Sequence, residues 1–368
     1  MSIAAIRKAL AAGFPKNLDQ TYDHILSQID ELHQQTVLKT LQALTATVES
    51  LTLEEIVEIL AVNLDTDPPQ FDPDSRLLDP RSILSMCSSL VTTVNTTRRS
   101  IHSEQQKVTF LKLAHASVAD YLTQPNLHGP SEFHFSKTPS RQFLAQCCLT
   151  YLMNSDFASG YQKHQRQLRI VYPFLNHAVN NWARYLAKEP GDPDDYLELR
   201  TIELLLAFFA TWKTPSGGNF TFWVGMLIPE VPVEMIRKTQ PLYYAASFGL
   251  TDIVQMILGS EKDIEINALG GRAHSTALHV ATYRNHIDVA KILLDKGADP
   301  NLRNDMDEAP LYWAAVNGNQ EMQELLVKYG STDLKGVWGR QAEGVNAQDR
   351  MDEMLLTRYF KLDDIDID

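Results

Sequence analysis

Three segments of this chain repeat one another: QPLYYAASFGLTDIVQMIL from Gln240, TALHVATYRNHIDVAKILL from Thr276, and APLYWAAVNGNQEMQELLV from Ala309. Leu278 to Leu311 is 33 residues and Leu242 to Leu278 is 36, so a three-residue insertion belongs in a loop between the first two. A period of this length restricts the fold more than any other feature. One such unit cannot bury its own apolar face, so neighbouring units must stack. In each unit a short helix turns Leu and Ala inward: Leu242 and Ala245, Leu278 and Ala281, Leu311 and Ala314. Gly249, Asn285 or Gly318 then stops it, since these residues tolerate the left-handed backbone that ends a helix. The second helix carries a helix-period apolar stripe: Ile253, Val254, Ile257 and Leu258; then Val289, Ile292, Leu293 and Leu294; then Met322, Leu325 and Leu326.

KGADPN at Lys296 to Asn301 and TALH at Thr276 to His279 resemble the exit and opening motifs of the ankyrin repeat. The resemblance implies three stacked helix pairs over residues 238–335, with Leu, Ala and Gly positions as scaffold. It places the contact surface on the concave face, at Tyr244, Ser247 and Phe248, at Val280, Tyr283 and Arg284, and at Trp313, Val316 and Asn317. The turn tips add Arg272 and His274, then Arg303, Asn304 and Asp307. Rigid aromatic rings and arginine suit a binding hot spot, because they bury much area at small entropic cost. Two readings of Tyr244 and Trp313 stand side by side at this point: partner contacts, or packing against neighbouring repeats or the tail. His279 reads as a structural hydrogen-bonding residue of the opening motif. Three repeats need covers at both ends, and the preceding helical region and a helix-like stretch from Asn346 to Phe360 are suited to this. KLDDIDID at the end reads as an acidic tail, so residues 336–368 are assigned to a capping helix and tail.

Upstream, FPKNLDQTYDHI leads into an amphipathic helix carrying Ile25, Ile29 and Leu32. A second helix from Val37 to about Val48 carries Leu38, Leu41 and Leu44, and a third opens with a capping box, Thr52 with Glu55. The proline- and aspartate-rich run from Leu64 to Pro80 reads as a loop. A helix follows with Ile83, Leu84, Met86 and Leu90 on its inner side, then two strand-like pieces, Leu90 to Val94 and Val108 to Leu113, then AHASVADYL. Three helices followed by a hairpin is the order of a winged helix. SLTLEEIVEIL, DPRSILSMCSSLV and LAHASVADYL, with FPKNLDQTYDHI, resemble the winged-helix region that follows the NACHT module in fungal STAND-type, NLR-like ankyrin proteins; YPFLNHAVNNWARYL resembles their helical connector. The resemblance runs from about Ile6 to Leu334. It divides the chain into a remnant helix or linker (1–20), a winged-helix-like domain (21–125), a helical connector (126–237), the repeats, and the tail. The fold class is therefore mainly α, ending in an α-solenoid.

That family's ATPase part needs GxxxxGK[ST], and no such sequence occurs here; the glycine pairs Gly217-Gly218 and Gly270-Gly271 precede no Lys-Ser or Lys-Thr. The chain reads as the winged-helix and ankyrin portion without the motor, either a stand-alone product or a truncated gene model. There is no GxSxG elbow, and His115 to Asp120 (HASVAD) places Ser, His and Asp on one helix turn, which fits core and cap better than a triad. Eleven histidines lie scattered without HExxH spacing, and Cys147-Cys148 are adjacent with Cys87 distant, so neither a zinc site nor a disulfide is expected. A net charge of -13 argues against direct nucleic-acid binding, and the helix from Arg81 to Leu90 has one basic residue to offer a groove, with Arg98, Arg99, Lys107 and Lys112 on the hairpin. The N-terminal stretch lacks a long apolar core, and Leu204 to Trp212 is too short to cross a bilayer. The expectation is a cytoplasmic or nuclear protein, neither secreted nor membrane-bound, non-enzymatic and without cofactor, that acts as a regulatory scaffold by holding an unidentified protein on its concave face. A transcription co-regulator working through a bound factor, or a truncated receptor, are the alternatives.

Overall fold

The computed structural model describes residues 18–99, 105–124, 131–159, 165–187, 196–260 and 264–332. The chain is mainly helical and divides into two units, with the boundary between Cys147 and Cys148. The stretch before Leu18, the Asn346–Phe360 helix and the acidic tail lie outside the described residues.

The first unit opens with α1 (Leu18–Ser27) and α2 (Glu31–Ala46). The stripe Ile25, Ile29, Leu32 does not form one face, which corrects the sequence expectation. Asp30 accepts a hydrogen bond from the Leu32 backbone N–H at 2.9 Å and starts a new helix there. That restart resets the helical phase, so Tyr22 and Leu26 are buried while Leu32 is 86% exposed. In α2, Val37, Leu41 and Ala43 form the buried stripe.

α3 (Leu53–Leu60) begins with the expected capping box: the Glu55 N–H donates to Thr52 Oγ1 at 3.2 Å, and the Thr52 N–H donates to Glu55 Oε2 at 2.7 Å. Thr52→Ala is expected to destabilise this unit by about 1 kcal/mol, seen as an earlier urea midpoint at unchanged denaturant slope. The buried Glu58 of α3 receives the Arg76 Nη2 hydrogen bond at 3.0 Å, and the same guanidinium lies 5.4 Å from the Phe71 ring. The proline-rich run is thereby tied down and is more than a loop: it holds β2 (Gln70–Phe71), antiparallel to β1 (Val62–Asn63).

The next helix, α4 (Ser82–Met86), is shorter than expected; Ile83, Cys87 and Leu90 are buried, whereas Leu84 and Met86 are half-exposed. β3 (Val91–Arg99) and β4 (Gln105–Leu113) form an antiparallel hairpin in the register Val91 to Leu113 through Arg99 to Gln105, longer than its apolar stretches indicated. The outer rungs, Thr97 with Lys107, Arg98 with Gln106 and Arg99 with Gln105, pair as backbone without contributing apolar signal. The Leu111 N–H donates to the Leu51 carbonyl at 2.9 Å and Thr52 bridges Phe110, so the segment before α3 lies along the hairpin as a further rung. In α5 (Ala116–Thr123), His115 is the N-cap, its Nδ1 accepting the Ser117 N–H at 3.1 Å, and Val118, Tyr121 and Leu122 are buried. HASVAD is cap and core. The helix α6 (Lys137–Leu152) spans the boundary between the units.

In the second unit, α7 (Gln165–Val171), α8 (Leu175–Tyr185), α9 (Leu199–Ala210), α10 (Gly218–Leu227) and α11 (Val233–Lys238) make the connector. Gly217, at φ +79°, starts α10, and a Cβ there would stand 1.8 Å from Thr221 Oγ1. The glycine pair therefore serves a tight helix start. Trp182, Phe208, Phe220 and Trp223 are fully buried at the centre of the connector, and the Trp223 indole N–H donates to the Val179 carbonyl at 3.0 Å.

Three helix pairs follow: α12 (Pro241–Ser247) with α13 (Thr251–Ser260), α14 (Ala277–Tyr283) with α15 (Ile287–Asp295), and α16 (Pro310–Val316) with α17 (Gln320–Lys328). Gly249, Asn285 and Gly318 end the first helices at φ +69°, +60° and +67°, as their positions required. The apolar stripe of each second helix is buried at Ile253, Val254, Ile257, Val289, Leu293, Leu294, Met322 and Leu326, whereas Leu258, Ile292 and Leu325, expected in the same stripes, are half-exposed.

Side chains tie each repeat to the next. Asn267 Oδ1 accepts the Asp299 N–H at 3.0 Å, and one repeat on, Asn301 Oδ1 accepts the Thr332 N–H at 2.9 Å. His286 Nε2 bonds the Ser247 carbonyl at 3.0 Å, and Asn317 Nδ2 donates to the Tyr283 carbonyl at 3.0 Å. Both satisfy carbonyls that the preceding first helix leaves without intrahelical partners at its end. His279 is buried, as its structural role demands: its Nδ1 accepts the Thr276 N–H at 3.1 Å, which leaves Nε2–H to donate to the Glu308 carbonyl at 3.0 Å.

Candidate protein-interaction surface

The first helices α12, α14 and α16 lie side by side, and their sequences carry no Asp or Glu. The fourteen expected contact residues separate into three groups on this surface.

Tyr244, Ser247 and Phe248 belong to the stack's attachment to the connector. Tyr244 is 5% exposed, its ring 4.7 Å from Trp223 and 6.1 Å from Phe220. Burial pushes its phenol far above the ordinary tyrosine value. Phe248 packs 5.3 Å from Trp182 and 6.2 Å from Trp223, and Ser247 is buried. The expected exposure of Ser247 is corrected and Tyr244 takes the packing reading, while Phe248 remains half-exposed: the connector's aromatic side chains need apolar neighbours, and the first repeat supplies them.

Arg272, His274 and Arg303 stand at the turn tips, each beside a carboxylate: Arg272 Nε 3.1 Å from Glu230 Oε1, His274 Nδ1 3.3 Å from Asp305 Oδ1, and Arg303 Nη1 3.1 Å from Asp307 Oδ2. Exposed pairs of this kind add little stability, at most about 1 kcal/mol each. Asn304 is buried and not a tip contact, because its Oδ1 accepts the Met306 and Glu308 N–H groups and so closes the turn.

Val280, Tyr283, Arg284, Trp313, Val316 and Asn317 gather where the second and third repeats meet. Val280 is 8% exposed and Asn317 is committed to the Tyr283 carbonyl, so both support the surface from beneath. Tyr283 and Trp313 are half-exposed and meet edge to face, ring centres 5.3 Å apart at 87°. Val316 is half-exposed and Arg284 exposed, its guanidinium 5.7 Å from the Tyr283 ring centre. Tyr312, half-exposed and 5.4 Å from Trp313, completes the patch. It escaped sequence reasoning because it occupies the position of His279 in the opening motif, which reads as scaffold. The matching Tyr243 in the first repeat is the available signal, since two of three repeats put an aromatic ring where the motif has His.

Burial pushes the Cys87 and Cys147 thiols up to about 12, so neither offers a thiolate at neutral pH. Among the described residues no three His, Cys, Asp or Glu side chains converge as metal ligands, and no helix is long and apolar enough to cross a membrane.

Azaphilone pigments biosynthesis cluster protein L of Monascus ruber is 27% identical over 299 residues, 77% of this chain and 60% of that protein. Ankyrin repeat and SOCS box protein 16 of Homo sapiens is 31% identical over 123 residues, 33% of this chain and 23% of that protein. Transient receptor potential cation channel subfamily A member 1 of Homo sapiens is 33% identical over 93 residues, 25% of this chain and 8% of that protein. The chain thus spans less than two thirds of the length of these curated relatives. Residues 242–335 match the family described as ankyrin repeats (3 copies), and the C-terminal part of this chain is an ankyrin-repeat segment.

Proposed function

We propose that this chain is a non-enzymatic scaffold with a regulatory role, which binds a partner protein on the aromatic patch between its second and third ankyrin repeats. The observation that carries this reading is the Tyr283–Trp313 pair: two half-exposed rings in edge-to-face contact on a rigid two-helix platform, flanked by Arg284 and Val316. Aromatic rings held by their own packing lose little entropy when a partner covers them. The upstream unit acts as a winged-helix-like packing module of the kind that follows NACHT in STAND-type proteins. Helices followed by a hairpin, with the strand rung at Leu51 and Thr52 beside Phe110, support that assignment. Its short α4 contains no Lys or Arg, which favours packing over entry into a DNA groove.

Affinity purification from the native source with wild type and the Tyr283→Ala/Trp313→Ala double variant tests the surface. Each ring is expected to contribute about 2 kcal/mol, so the double variant weakens the complex roughly 1000-fold and its specific partners disappear. Retention of the same proteins by a folded double variant refutes the placement.

A further inference from the structure

We propose that residues 346–360 fold back onto the open end of the third repeat and cover Trp313, so that this segment and the partner protein compete for the same ring. The packing stands on the repeat geometry alone; the competition rests in addition on the reading of the patch as a protein-binding surface.

The first observation compares equivalent positions. Ala246 and Thr282 are buried, and so are Val254 and Ala290, because the following repeat lies against each of them. Their counterparts in the third repeat, Ala315 and Gln323, are half-exposed. Val280 and Leu294 are 8% and 5% exposed, whereas their counterparts Trp313 and Val327 are half-exposed and 52% exposed. Among the described residues, positions that a further repeat would cover therefore stand open together at one end of the stack.

The second observation is the chemistry of that end. A repeat that terminates a stack carries a polar outer face. Trp313, Ala315 and Val327 keep the apolar character of an interior repeat instead, and Gln323 beside them is uncharged. Left in water, this face forgoes the apolar burial that the earlier repeats obtain.

The third observation is what lies within reach. The chain continues directly from Thr332, whose N–H is held by Asn301, into residues 333–368. In that stretch Met351, Met354, Leu355 and Tyr359 fall at helix spacing on one side, and Asp349, Glu353 and Thr357 fall on the other. Arg358 shares the apolar side, where its aliphatic stem can lie along the repeat while its charge reaches water. Residues 333–345 can span at most about 45 Å, ample for a return to the end face. A tether of this kind holds the segment at roughly millimolar effective concentration, an advantage that neither a second copy nor a free protein has.

Hydrogen exchange of the full chain tests the packing without any partner. Amides of residues 351–360 are expected to exchange roughly tenfold more slowly in the wild type than in Val327→Asp. Leu355→Asp should in return speed exchange in α16 and α17. Val327 is exposed, so its substitution leaves the repeat folded, as unchanged protection of α14 will show. Unprotected amides at 351–360 in the wild type overturn the proposal, and so does protection there that Val327→Asp leaves unchanged. A chain that is dimeric by light scattering and becomes monomeric with Val327→Asp, but not with Leu355→Asp, assigns the face to a second copy instead. The competition is read separately by affinity purification, in which Leu355→Asp should raise partner recovery several-fold over the wild type. Equal recovery refutes the competition and leaves the packing standing. Recovery of no partner by either protein refutes the binding surface and the competition with it, while the exchange result still decides the packing.

Discussion

Trp223→Ala is expected to destabilise the second unit by about 3–5 kcal/mol, the range for removing a buried aromatic side chain. For a unit of this size that corresponds to a fall in Tm of roughly 10 °C. Trp223 is fully buried, donates to the Val179 carbonyl, and touches rings on both sides of the junction: Trp182 at 5.4 Å, Phe208 at 5.8 Å, Phe220 at 5.7 Å and Tyr244 at 4.7 Å. Removing it opens a cavity between connector and first repeat, so both should lose protection together. Hydrogen exchange followed by mass spectrometry is expected to show faster exchange in α9, α10 and α12, with a smaller change in α17. Trp223→Phe retains most of the packing and loses the hydrogen bond, with an expected effect of about 1 kcal/mol. If the alanine variant leaves α12 fully protected, the aromatic cluster is not what holds the first repeat.

The second large effect is a dependence of stability on pH that originates at His279. Burial lowers its pKa to about 4 from an ordinary 6.5, and its Nδ1 faces the Thr276 N–H, a donor that cannot become an acceptor. Protonation at Nδ1 would set that N–H against a second donor and leave the Thr276 hydroxyl oxygen, 2.8 Å away, as the acceptor within reach. The unfolded chain binds this proton below about pH 6.5 and the folded chain only near pH 4, so the stabilisation is complete above 6.5 and is lost as pH falls toward 4. The difference corresponds to about 3 kcal/mol over that interval. His286, held against the Ser247 carbonyl and also lowered by burial, contributes in the same direction. Urea unfolding at pH 7.5, 5.5 and 4.5 should show wild type losing stability steadily. His279→Gln should start less stable but lose clearly less over the same range. Parallel slopes in the two proteins exclude His279 as the origin.

The repeat itself was legible because its signals are local and recur. The left-handed stops at Gly249, Asn285 and Gly318, the buried stripes of the second helices, the Thr52 capping box and the structural role of His279 each follow from residues within a few positions of one another. Elements upstream were less legible. Asp30 broke an apolar stripe that looked continuous, and the hairpin ran on through polar rungs that carry no apolar alternation.

Residue type and spacing alone determined that this chain ends in stacked helix pairs, where each pair turns, and which side chains enter the shared core, because one repeat's own geometry dictates them. Which aromatic rings remain at the surface was settled only in three dimensions. Tyr244 and Trp313 occupy equivalent positions in their repeats, yet the first meets the connector's tryptophans and the second meets Tyr283 at a half-open seam. Exposure depends on what a neighbouring element brings into contact, and that neighbour can lie far along the chain, beyond the reach of any local pattern.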